Sequence, residues 1–388
     1  MTPAARVAAA IKICDQIIQG QRTEIALTRW ARASRFAGSK DRAAVRDLVY
    51  SARRRWLSAQ AVSGGHTGRD ILRGVLMQQN ADLDALFGGG GHAPAVLTDD
   101  ERVIHAAQTD TQSCDIPNWL WDYWCAQLGD RAHSVAQALR EPAPVFVRVN
   151  VAKISREQAC ASLADDGITA VQHPTVETAL TISGRSGALS HCHAYKQGWI
   201  EPQDASSQFS ALVLPRNSGG RILDYCAGGG GKSLALAAWT GGTVTAYDAN
   251  VARMASIPER ATRAGHGIVV AETTSDLSND YDVVFCDVPC SGSGTWRRDP
   301  DGKHSLDGAK FDALLPLQAQ ILRTAQHHVG PNGQLIYATC SVFEDENLGQ
   351  IHAFCNDHPQ WHLQESHQFY PDDQGDGFFV ARLTQVAG

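Results

Sequence analysis

No stretch of this chain runs to about eighteen uninterrupted apolar residues, and its first residues lack a signal-type hydrophobic block with a cleavage site. A membrane partner and export are therefore not expected, and the address is cytoplasmic. Its ten cysteines contain no CxxC pair. Structural zinc usually needs paired ligands of that kind, and disulfide frameworks belong to short, cysteine-dense secreted chains. His191, Cys192 and His193 stand too close together for a standard zinc site. Reduced thiols and no metal follow. Charge is modest as well: 19% of residues are charged against 43% hydrophobic, which is ordinary for a soluble globular protein.

The net charge of -7 argues at first against a polyanionic partner, but the average conceals an asymmetry. Residues 1–60 hold 12 Lys or Arg against 4 Asp or Glu, net +8; residues 61–388 hold 22 against 37, net -15. The first segment is the polyanion-binding candidate. Residues 32–56 carry most of the excess, with Arg53, Arg54 and Arg55 adjacent. Two readings stay open for them, a face that contacts phosphates or a solvated helix face with internal ion pairs.

A length of 388 residues predicts two or three domains. Val7, Ala10, Ile11, Cys14, Ile17 and Ile18 recur at helical spacing up to Gly20, and further helices are expected over 41–57 and 70–86. Gly88 to Gly91 make a break. Trp119, Trp121 and Trp124 sit among apolar neighbours, which suits core packing better than base stacking. PVFVRVNV (144–151) alternates like a strand, 156–165 reads as a helix and 178–182 as another strand, so a small α+β module is expected over 141–205. Thereafter RILDY, TVTAYD, DVVFCD, QLIYATC and GFFVARL alternate with helical material, the pattern of a doubly wound sheet.

LDYCAGGGGKS (223–233) has the form of a strand, a glycine-rich turn and a helix start, where backbone N–H groups can meet a ligand. A P-loop would need glycine where Cys226 stands, and the third glycine of the dinucleotide pattern is replaced by Ser233. A nucleoside-type cofactor survives these exclusions, with Asp248 placed at the end of the next strand to accept ribose hydroxyls. Asp224 is a candidate to order the loop or to receive a cationic group.

Asp287 and Cys290 follow one apolar strand in DVPCSGSG, and Cys340 follows another in YATCS. Small and hydroxyl neighbours leave room beside both thiols, whereas Cys286 alternates away from Asp287 toward the core. Pro289 stiffens the backbone beside Cys290. Two thiols at two strand ends point to sulfur nucleophile chemistry.

LDYCAGGGGKS, YDAN, DVPCSGSGTWRRDPD and YATCSVFEDEN resemble motifs I, II, IV and VI of the Sun/RsmB-type RNA cytosine-5 methyltransferases. WIEPQDASSQ and the RVNV module resemble that family's RNA-recognition-like segment, and residues 1–140 more loosely its NusB-like helical extension. The resemblance implies an all-α NusB-like domain (1–140), a small α+β module (141–205) and a Rossmann-like methyltransferase domain (206–388). It implies S-adenosylmethionine as cofactor, held by Cys226, Ala227, Gly228, Gly229, Gly230, Gly231, Lys232, Asp248, Asp287 and a third acid, Asp276 in preference to Glu272. It further implies Cys340 as nucleophile, Asp287 as the base-binding acid and Cys290 as the group assisting proton removal or release of the adduct. The DNA cytosine methyltransferases use the PC cysteine as nucleophile, which leaves an exchange of these two roles open. Arg297 and Arg298 are open to either a phosphate-binding or a salt-bridged structural role.

The family usually reads Ala-Ala-Pro-Gly-Gly in motif I, whereas here Ala227 precedes four glycines. A looser loop is expected from that change. The partner implied is RNA, ribosomal in preference to transfer RNA, and the expected state is a monomer. The competing readings are a non-catalytic RNA assembly factor and an NAD-dependent oxidoreductase.

Overall fold

The computed structural model describes residues 1–106, 109–184 and 186–385. It divides into two compact units, Met1–Pro142 with Trp296–Gly308, and Ala143–Thr295 with Ala309–Gly388.

The first unit is helical. Its opening helix, Pro3–Ile18, is capped by Thr2, whose hydroxyl accepts from Ala5 N, and it has proline in its first turn, where the missing N–H costs nothing. Ala10, Ile13, Cys14 and Ile17 pack from this helix onto Val45, Val49, Ile71, Leu72 and Val75. The stretch expected as one helix over 41–57 is two, Ser39–Arg54 and Trp56–Ser63, broken at Arg55. The stretch over 70–86 is likewise two, Gly68–Gln78 and Leu83–Leu86, separated where Asn80 turns left-handed at φ 52°. Gly74 permits the close approach of two of these helices, since a Cβ there would lie 2.1 Å from the Ala59 carbonyl oxygen. Trp124 is fully buried and stacks on Trp296 with ring centroids 5.9 Å apart, while Trp119 is exposed.

The second unit holds two sheets. Strands β1 (Val145–Val149), β2 (Thr169–Gln172), β3 (Ala179–Ser183) and β4 (Ile200–Pro202) form an antiparallel sheet in the order β2-β3-β1-β4. The helix Arg156–Asp165 packs on it through Ala159 and Leu163. The edge strands β2 and β4 escaped the sequence reading because they are four and three residues long and carry no apolar alternation.

The larger sheet comprises β5 (Arg221–Asp224), β6 (Thr243–Tyr247), β7 (Ile268–Ala271), β8 (Tyr281–Asp287), β9 (Val329–Thr339), β10 (Trp361–Phe369) and β11 (Phe378–Gln385). Its order is β10-β11-β9-β8-β5-β6-β7. Five strands run parallel, and β11 and β10 add antiparallel at one edge, so the sheet is mixed rather than wholly parallel. Neither β7 nor β10 was anticipated: one is four residues long and the other is largely polar, and both are edges. The strand order reverses beside β5, between β6 and β8. Open α/β sheets bind ligands in the crevice beyond the carboxyl ends of the strands at such a switch point.

Among the described residues no helix is long and apolar enough to cross a membrane.

Candidate active site

Four strands deliver their last residues to this crevice. β5 ends in Asp224 and β8 in Asp287, while β6 and β9 are followed directly by Asp248 and Cys340. In register, Asp224 lies opposite Phe285 and Asp287 opposite Ala338. Cys286, pointing the other way, is wholly buried in the core, as its alternation predicted.

The two thiols meet. Cys290 Sγ and Cys340 Sγ are 3.4 Å apart. The hydrogen bond from Cys290 lowers the pKa of Cys340, with Lys232 and Thr295 helping against burial and Asp287; the same bond, with burial, pushes Cys290 well up. Of the two, Cys340 is therefore the thiol that gives up its proton more readily.

Beside them Lys232 Nζ donates to Asp287 Oδ2 at 2.6 Å and lies over the Phe378 ring, 5.2 Å from its centroid. Burial alone would discharge the ammonium, but the Asp287 carboxylate outweighs it and raises the Lys232 pKa. Sequence analysis placed this lysine among the residues that hold the cofactor and did not pair it with Asp287, which lies 55 residues further on.

Glu346 holds the two thiol loops together. Its carboxylate is fully buried and accepts from Ser291 N (2.8 Å), Ser291 Oγ (2.5 Å), Ser341 Oγ (2.5 Å) and Gln318 Nε2 (2.9 Å). Gln318 also donates to Pro289 O, and Ser293 Oγ lies 3.0 Å from Ser341 Oγ. Each cysteine is thus followed by a serine bound to one carboxylate. The serines stood in view beside both thiols, and Glu346 is the acid that the sequence did not single out.

The glycine loop is shaped by its own acids and by arginines. Asp248 Oδ2 accepts from Gly228 N at 2.9 Å and from Arg253 at 3.1 Å, and its Oδ1 accepts from Asn250 N. Gly228 and Gly230 are left-handed at φ 52° and 79°, which explains glycine at both. Asp224 is buried and takes Ser233 Oγ on Oδ2 at 2.6 Å, while its Oδ1 has no partner among the described residues. Burial lifts its pKa to about 7. Cys226, Ala227, Gly229 and Gly231 complete the turn, and burial raises the Cys226 thiol. Asp276, the preferred third acid, does not join this cluster through any hydrogen bond among the described residues. It is exposed, and its carboxylate caps its own turn by accepting from Thr273 N at 2.9 Å and Thr273 Oγ1 at 3.0 Å. Glu272 is exposed as well.

Residues 211–384 match the 16S rRNA methyltransferase RsmB/F family, and residues 116–187 match its ferredoxin-like domain. The ribosomal RNA small subunit methyltransferase B of Sodalis glossinidius is 31% identical over 335 residues, covering 81% of this chain and 76% of that one. That of Cronobacter sakazakii is 30% identical over 337 residues, covering 82% and 73%. The chain belongs to the RsmB/F family. It is an RNA methyltransferase, and S-adenosylmethionine is its cofactor. The fold agrees: the crystal structure of PH0851 superposes with a TM-score of 0.77 at 21% identity, covering 99% of both chains. A methyltransferase homologue from Pyrococcus horikoshii superposes at 0.62 and 23% identity, covering 71% of this chain and 97% of that one. The RsmB/F crevice here fits a cationic nucleoside, having an unpartnered buried carboxylate oxygen on Asp224 and a turn without side chains.

The arginine triplet is corrected by the structure. Arg53 and Arg54 are buried, so neither a phosphate face nor a solvated one describes them. Arg53 Nε donates to Asp301 at 2.9 Å and its guanidinium lies 4.8 Å from the Trp56 ring centroid, while Arg54 donates to Arg297 O. Arg55 pairs with Glu141. Arg297 is buried too, and its segment belongs to the helical unit, which favours its structural role.

Proposed function

We propose that this enzyme methylates carbon 5 of a cytosine in 16S ribosomal RNA in the cytoplasm, through a covalent bond to Cys340. The observation that carries this reading is the pair of thiols 3.4 Å apart at one sheet edge, next to an acid held by a lysine. Carbon 5 of cytosine is a poor nucleophile until a thiolate adds to carbon 6. Cys340, whose pKa is lowered, is the thiol suited to that addition. Asp287 accepts from the exocyclic amine and shares a proton with ring nitrogen 3 as charge moves onto the ring, and Lys232 keeps it in place. S-adenosylmethionine supplies the electrophilic methyl that carbon 5 takes up. The loop 226–232 with Asp224 and Asp248 would hold it. The carbon 5 proton is then removed, its C–H electron pair re-forms the carbon 5–carbon 6 double bond, and the carbon 6–sulfur pair returns to Cys340 as thiolate, with Cys290 assisting removal of the proton or release of the adduct. A base inside a helix would have to be extruded first.

RNA affinity requires exposed cations. Arg29 and Arg32 on the helix Thr23–Ala33, Arg35 on the turn after it and Arg42 at the start of the helix Ser39–Arg54 are exposed and line two shallow grooves, and none has a carboxylate partner among the described residues. Phe36, 76% exposed between them, offers a ring to an unpaired base.

Two measurements test the reaction. Bisulfite sequencing of 16S RNA from cells with and without the gene should show one cytosine losing protection in its absence. On a denaturing gel, Cys290→Ser should retain a covalent RNA adduct and Cys340→Ser should form none; the reverse result would exchange the two roles. A wild-type and a deletion strain with identical RNA would remove the activity altogether.

A further inference from the structure

The small antiparallel sheet does something for the cofactor loop that its resemblance to an RNA-recognition module does not suggest. Arg148 on β1 and Glu201 on β4 are direct cross-strand partners, and both are buried. Arg148 Nη1 donates to the carbonyl of Gly231 at 2.7 Å and also to Gln203. Glu201 takes Arg260 at 2.8 Å on one oxygen and Arg263 at 2.7 Å on the other. Arg260, so aimed, donates to the carbonyl of Gly229.

We infer that Arg148 and Arg260 are positioning residues for S-adenosylmethionine, clamping the Gly229 and Gly231 carbonyls of a loop too rich in glycine to hold its own shape. A peptide unit is planar, so fixing a carbonyl fixes the N–H of the next residue. Holding Gly229 thereby sets Gly230 N, which donates to Ala227 O at 2.8 Å and closes the turn. Holding Gly231 sets the backbone of Lys232, whose ammonium meets Asp287. Where the family has alanine and proline, which restrict the free loop, this chain has Gly228 and Gly229. The arginines supply from outside the rigidity that the loop sequence omits. Affinity for the cofactor is then set partly by residues of the small sheet, and Glu201 is the link between Arg260 and that sheet.

The test is calorimetric titration of S-adenosylmethionine into the full-length protein. Arg148→Met and Arg260→Met should each raise Kd about tenfold, the scale of one charge-assisted hydrogen bond to a carbonyl. Hydrogen exchange of the loop amides should quicken in both. A Cβ at Gly229 would meet only side-chain atoms, Arg260 at 3.3 Å and Ser256 at 3.9 Å, and the first of these contacts goes once Arg260 is shortened. Adding Gly229→Pro to Arg260→Met should therefore recover most of the loss by restricting the free loop. Recovery of that kind would not follow if Arg260 merely held its helix in place. Should either methionine variant fail to fold, Glu201→Gln keeps both arginines, loosens the aim of Arg260, and should raise Kd about threefold. Unchanged affinity in folded variants, or a loss that proline does not repair, would overturn the clamp. Wild-type protein that takes up no S-adenosylmethionine would instead sink the assignment of the cofactor to this loop.

Discussion

Asp224 carries a carboxyl whose burial lifts its pKa from 3.8 to about 7. A raised carboxyl pKa means that between these values the native state holds a proton the unfolded chain has lost. Stability contributed by this group is greatest below pH 4, declines as pH rises to about 7 and is level above it. The decline is on the order of 4 kcal/mol at 1.36 kcal/mol per pKa step. Asp224→Asn should flatten that limb and melt higher than wild type at pH 8, while weakening cofactor binding; parallel melting profiles from pH 4 to 8 would refute it. Glu346 is surrounded by donors, the Ser291 amide and hydroxyl, the Ser341 hydroxyl and the Gln318 amide. Glu346→Gln turns an N–H₂ toward hydroxyls and amides that already donate, so we expect a destabilisation of about 3 kcal/mol and a fall in kcat of tenfold or more. Denaturant unfolding and single-turnover kinetics measure the two. Asp287, Cys290 and Cys340 were recognisable one by one from their strand-end positions. Lys232 against Asp287 and Glu346 against Ser291 and Gln318 were not, because hydrogen bonds across 28 to 55 residues have no local pattern.

At the scale of elements, the basic segment shows how far charge counting reaches. It located the positive region correctly, but the triplet that stands out in the chain lies at the end of a helix whose last turn is buried. The exposed arginines proposed for RNA are spaced singly along Thr23–Ala33, the turn beyond and the start of Ser39–Arg54. Replacing Arg32 and Arg35 together by Glu should weaken RNA binding and reduce its salt slope by about two, whereas Phe36→Ala should weaken it with the slope unchanged. Titrations at several salt concentrations distinguish these outcomes. Asp301 belongs to the other class of contact: it accepts from Arg53, from Thr23 N at 2.9 Å and from Thr23 Oγ1 at 2.7 Å. Asp301→Ala leaves a buried guanidinium uncompensated and should cost about 3 kcal/mol, read by thermal melting. The long apolar strands β8 and β9 were plain from sequence, and the short or polar edges β2, β4, β7 and β10 were not, since an edge strand needs little hydrophobic patterning to pair.

At the scale of the whole molecule, the helical unit is not continuous in sequence. Immediately after the loop that bears Cys290, residues Trp296–Gly308 join it, bringing the Trp296 ring to Trp124 and Asp301 to Arg53. A fragment of residues 1–142 should therefore be markedly less stable than the same unit in the full chain. A synthetic peptide of residues 296–308 should raise its melting temperature; no shift would mean that the segment is dispensable.

By itself the sequence determined what depends on neighbours along the chain: the opening helix and the helical character of the first unit, the central strands, the glycine-rich turn and the two thiols at strand ends. Side-chain period and turn chemistry act over a few residues and are written locally. The tertiary structure alone decided which arginines face water, that Asp276 caps its own turn, that Lys232 meets Asp287 and that Glu346 binds the serines beside Cys290 and Cys340. It also decided that Arg148, on a strand of the small sheet, reaches the glycine loop. Burial and long-range pairing are properties of the packed chain, so residues of the same type, such as Arg32 and Arg53, acquire opposite roles only when the fold is complete.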